Sequence, residues 1–170
     1  HIDLFGTILM PLMLLIFTNG QFVFGYAKPV PINPMNFKNP RKGMAISALA
    51  GPATNLMLAI VSLFLLRLAV LPALSFVPHG VSAKILEPLG MMLKSSIIIN
   101  VVLASFNLIP IPPLDGGRVV AGFLPAKQAA FFSRIEPFGF LIVIILIATG
   151  LANYFVIPLV NLFLGILGMF

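Results

Sequence analysis

The chain is 170 residues long, 60% hydrophobic and only 8% charged, with a formal net charge of +6 and a mean hydropathy of +1.14. A soluble domain carries about 25% charged residues, so these values exclude an ordinary globular protein and imply an integral membrane protein in the lipid bilayer. The absence of cysteine excludes disulfides, thiolate metal sites and cysteine nucleophiles, and the ten cations flank apolar windows without aromatic interleaving, which argues for topology signals and against a nucleic-acid surface.

The chain opens on His1-Ile2-Asp3 with neither an initiator methionine nor a cationic leader, which reads as a fragment or a processed product. Four windows reach the roughly 20 apolar residues that a bilayer crossing needs. They cover residues 4–24, with Pro11 inside; 45–66, with Arg67 at the end; 88–109; and 138–157. Residues 159–170 are apolar but too short to span, and Pro158 sets them apart as a tail. The expected fold is an all-α polytopic membrane protein of about four transmembrane helices with proline-broken segments, forming a single transmembrane domain over 1–170.

Between the first two windows, prolines at 29, 31, 34 and 40 remove donors and push the preceding residues to extended conformations. This stretch therefore reads as an extended, proline-rich loop. Lys28, Lys38, Arg41 and Lys42 lie between the first and second windows, and Arg118, Lys127 and Arg134 between the third and fourth. With four spans both loops share a side, and the excess of cations there makes that side cytoplasmic.

The third window stops at Asn107-Leu108-Ile109-Pro110-Ile111-Pro112-Pro113-Leu114-Asp115-Gly116-Gly117-Arg118. Asp115 is one of four acids in the chain, and an ionisable group beside broken backbone near membrane depth is tolerated mainly in a protein-lined or wet cavity. The residues alone allow two roles. Asp115 either caps the next helix in an Asp-Gly turn, or its carboxylate serves as a metal ligand or proton carrier. Asn55 and Asn107 pose a similar choice between helix packing or backbone satisfaction and a place in a polar cavity.

The run through Leu114-Asp115-Gly116-Gly117 resembles the aspartate-ligand motif of the site-2 protease family of intramembrane zinc metalloproteases, of the bacterial type. His1-Ile2-Asp3-Leu4-Phe5-Gly6-Thr7, Ala27-Lys28-Pro29-Val30-Pro31-Ile32-Asn33-Pro34 and Ala50-Gly51-Pro52-Ala53-Thr54-Asn55 resemble other stretches of that family in the same order. The resemblance implies one Zn(2+) held by Asp115 and by two histidines of a His-Glu-x-x-His helix whose glutamate is the general base. It also implies substrate contacts from Asn55 and Asn107, transmembrane protein substrates, and a multi-pass protein of the bacterial inner membrane with its active site towards the cytoplasm. The extended loop either pairs with an unwound substrate or gates its entry, or is a connector lying on the membrane surface.

The two histidines present, His1 and His79, form no His-x-x-x-His pair, and neither matches a ligand position of the motif. The chain therefore reads as the C-terminal part of a larger protease core, supplying the aspartate but neither the histidines nor the base. Alone it is expected to be inactive and to need a preceding segment or oligomer contacts. A proton-coupled transporter or channel fragment, or a non-catalytic protease homologue, is the alternative.

Overall fold

The computed structural model describes residues 8–17, 32–76, 78, 80 and 82–169. All described secondary structure is helical. The chain divides into two compact units, His1–Asn36 and Phe37–Phe170. In the first, helix α1 spans Met10–Phe17, and a 3-10 turn occupies Pro34–Asn36. The Asn33 side chain accepts from the Met35 N–H at 3.0 Å, so this part of the proline-rich loop is locally ordered by an Asx turn. Residues 29–31 of that loop, the flanks of the 4–24 window, His1 and His79 lie outside the described residues.

The second unit is built on α2 (Pro40–Leu65). Asn39 caps it by accepting from the Lys42 N–H at 3.4 Å, and Pro40 opens its first turn, where a missing N–H costs nothing. The helix runs through Pro52 without ending, and the Thr54 hydroxyl donates to the Ala50 carbonyl at 2.7 Å. A π turn over Leu66–Val70 carries it into α3 (Leu71–Phe76). A second π turn, Ser82–Leu86, leads to α4 (Glu87–Asn107), which matches the 88–109 window closely.

After residues 108–114 come α5 (Asp115–Phe123), α6 (Ala126–Ile135), a 3-10 turn at Glu136–Phe138, α7 (Gly139–Ala148) and α8 (Asn153–Ile166). The 138–157 window therefore needs correction. Its apolar character continues, but the helix stops where Gly150 takes φ +73°, a left-handed cap that favours glycine. Pro158 lies inside α8 and does not separate a tail.

Among the described residues three helices are long and apolar enough to cross a membrane: Pro40–Phe76, Lys84–Asn107 and Ala126–Ala148, with Asn153–Ile166 apolar but shorter. Their outer faces expose Ile46, Phe64, Leu68, Ile99, Phe140 and Ile147, as expected of surfaces solvated by lipid.

The core joins α2, α4 and α8. Ala59, Leu66, Val70, Ile97 and Val101 are buried together, with Phe163, Leu164 and Leu167 packed on them. Lipid is as apolar as leucine, so packing and polar contacts hold such helices together. The buried Ser62 hydroxyl meets that of Ser96 at 2.9 Å across α2 and α4. The Asn100 amide donates to the Ser96 carbonyl at 2.8 Å. Arg67, at the far end of α2, donates to the Gly168 carbonyl just beyond α8.

Candidate functional site

Three prolines end α4 and shape the turn that leads into α5. Through that turn, the N–H of Leu108 donates to Ala104 at 3.0 Å, Ile109 to Phe106 at 3.2 Å, Ile111 to Ile109 at 2.8 Å and Leu114 to Ile111 at 3.0 Å. Main-chain carbonyls thus satisfy these donors, as buried backbone requires. The Asn107 amide is not needed for it. The turn folds back tightly on α5. A Cβ on Gly116 would collide with the Leu108 and Ile109 carbonyls, and one on Gly117 with the backbone of Ile111 and Pro112. Only glycine admits backbone this close, and both residues are buried. Gly139, at the start of α7, meets Pro112 and Pro113 in the same way.

Asp115 is the first residue of α5. Leu114 takes the capping position with φ −66° and ψ 154°, and no side-chain capping bond is made there. The helix-capping reading of Asp115 is therefore not what the geometry shows. Its carboxylate instead lies against α2: a Cβ built on Gly51 would stand 2.8 Å from Asp115 Oδ2. Helices α2 and α5 pack antiparallel, since Gly122 faces Ala45 and the Arg41 carbonyl while Asp115 faces Gly51.

Asn55 is partly buried. Four residues after Gly51, it falls on the same face of α2, about 6 Å further along the axis. The fold thus brings Asp115 to the Gly51 end of the Gly51-Pro52-Ala53-Thr54-Asn55 stretch. Asn107 closes α4 at the other end of the proline turn and is partly buried.

Burial raises the Asp115 carboxyl above its ordinary value, and the charge of Arg118 acts in the opposite direction. Arg118 itself pairs with Glu136 at 2.9 Å, both ends nearly half exposed. Among the described residues that is the one ion pair, so Asp115 has none. A carboxylate that is partly desolvated and, among the described residues, not ion-paired suits a cation, which would favour its ionised form. The described residues hold no group of three or more His, Cys, Asp or Glu side chains able to bind a metal. Asp115 therefore fits as a single ligand of a site that needs further donors.

The reading of the sequence missed the Ser62, Ser96 and Asn100 group. Its signal was available: Ser96 and Asn100 are four residues apart in an otherwise apolar helix, the spacing that puts two side chains on one face.

Residues 77–151 match the model of Peptidase family M50. The chain is 35% identical over 165 residues to the "Putative zinc metalloprotease YwhC" of Bacillus subtilis (strain 168), covering 95% of this chain and 67% of that protein. It is 32% identical over 125 residues to the "Putative zinc metalloprotease Rip2" of Mycolicibacterium smegmatis, covering 74% of this chain and 44% of that protein. No solved structure matches. With a relative 35% identical over 95% of this chain and 67% of its own length, the chain belongs to peptidase family M50, the site-2 protease family of membrane metalloproteases.

Proposed function

We propose that this chain supplies the aspartate ligand and part of the substrate cleft of a zinc-dependent intramembrane endopeptidase that cuts peptide bonds in or near transmembrane segments of other proteins. The observation that carries the reading is the seat of Asp115: a half-buried carboxylate without an ion pair among the described residues, held against the glycine face of α2. Family membership supplies the reaction class.

When bound, zinc would act as a Lewis acid and bring the pKa of its water down towards about 7. Asp115 would hold it through its carboxylate. The sequence has no His-x-x-x-His pair, so the two histidine ligands and the glutamate base would come from outside these residues.

Asn55, one turn from Gly51, would donate its amide to the substrate backbone or the scissile carbonyl. Asn107 would do the same from the mouth of the proline turn. The rigid turn and the paired glycines would hold the carboxylate still, since ligand geometry tolerates only about 0.2 Å. The proline-rich loop would pair with substrate unwound from its helix. The cations Lys28, Lys38, Arg41, Lys42, Arg118, Lys127 and Arg134 support a site facing the cytoplasm from a bacterial inner membrane.

The test uses the full-length protein purified with and without Asp115→Ala and Asp115→Asn. Wild type is expected to retain about one zinc per chain and to cleave a transmembrane reporter. Both variants are expected to lose the metal and the cleavage. Unchanged zinc content and cleavage in the variants would refute the assignment.

A further inference from the structure

The start of α2 and the end of α5 enclose an open hollow of about 580 Å³, lined by Lys38, Asn39, Pro40, Arg41, Lys42 and Gly122. Three of its six lining residues are cationic and none is acidic. The three side chains are exposed, and among the described residues none of them forms an ion pair. The one ion pair there uses Arg118 and Glu136. The hollow depends on close packing behind it, where Gly122 sits directly against Ala45 and the Arg41 carbonyl. No side chain at position 122 fills the space between the helices.

We infer that this hollow binds the phosphate of an anionic phospholipid headgroup. Three cations lining one concavity with no counter-charge among the described residues match an oxyanion, and arginine and lysine together offer forked and point-like donors to it. The setting favours a lipid as the source. The hollow opens at the end of the long apolar helix Pro40–Phe76, where clustered Lys and Arg mark the passage from hydrocarbon to headgroups. Ile46, nearly two turns into α2, and Phe123, next to Gly122, are exposed at 67% and 68%, giving acyl chains an apolar surface beside the charges.

The site is distinct from Asp115. Gly122 lies seven residues along α5, about 10 Å away along the helix, and headgroup binding there does not depend on the protease reading.

The test is made on the full-length protein reconstituted in vesicles of phosphatidylcholine with a minor fraction of spin-labelled phosphatidylglycerol. Motionally restricted label is compared for wild type, the triple variant K38Q/R41Q/K42Q, and the control K127Q/R134Q. The triple variant is expected to lose its preferential association, the control to keep it, and K38R/K42R to behave as wild type. Losses in proportion to the charges removed, three in the triple variant against two in the control, would mean diffuse surface charge and overturn the inference. Displacement of the label by millimolar inorganic phosphate would identify a soluble anion as the ligand and overturn the lipid assignment. Thermal melting of each variant in detergent separates loss of the site from loss of the fold.

Discussion

Adding a single methyl group at position 51 tests whether the seat of Asp115 matters to the metal. The new Cβ of Gly51→Ala would lie 2.8 Å from Asp115 Oδ2, whereas an ordinary carbon–oxygen contact is about 3.3 Å, so the carboxylate must retreat by about 0.5 Å. That exceeds the roughly 0.2 Å within which a ligand distance is held. Losses of about 10- to 100-fold in metal affinity accompany disturbance of groups that orient ligands, and we predict a loss in that range here. Helix stability should move the other way, because alanine in a helix interior is favoured over glycine by about 0.5–1 kcal/mol. Zinc content of the full-length protein in metal buffers, cleavage of a transmembrane reporter and thermal melting are measured together. The expected result is weaker zinc binding and slower cleavage with an unchanged or higher melting temperature. Wild-type zinc affinity in this variant would show that the contact does not set the ligand's position. A lowered melting temperature with normal metal content would show that Gly51 acts only in packing.

Three further outcomes are expected. Gly116→Ala forces a Cβ onto the Leu108 and Ile109 carbonyls, and backbone cannot swing aside as a side chain can. It should cost about 1–3 kcal/mol of stability, read by denaturation in detergent micelles, and a neutral result would contradict the tight turn. A double-mutant cycle of Ser62→Ala and Ser96→Ala should give a coupling of about 0.6 kcal/mol, the usual size of an interhelical hydrogen bond in a membrane; zero coupling would mean the hydroxyls do not pair. Glu136→Gln breaks an ion pair whose ends are 46% and 44% exposed, so the loss should stay below about 1 kcal/mol, and a larger drop in melting would show that the pair does more than brace the surface.

How far the fold was legible depended on whether a signal was local. The 88–109 window became Glu87–Asn107 because its apolar run and its limits, Pro88 and Pro110, lie within the segment itself. The 45–66 window falls inside a longer helix that starts earlier, at Pro40, and ends later, at Phe76. Arg67 looked like a boundary, yet the helix continues to Phe76, with that guanidinium donating to the Gly168 carbonyl about a hundred residues away. The 138–157 window failed at Gly150, since hydropathy does not report a left-handed φ.

The sequence by itself determined that this is a membrane protein, that its backbone there is helical, and that Asp115 stands out. Those conclusions rest on composition, on the need to satisfy backbone groups in lipid, and on the rarity of acids near a broken span. Only the tertiary structure decided what Asp115 faces. Its partner Gly51 is 64 residues earlier and has no side chain to signal a role. Packing of α2 against α5 sets that contact, and no local preference of either segment encodes it. The same packing sets Gly122 beside Lys38, Arg41 and Lys42, turning charges that mark topology in the sequence into one side of a hollow.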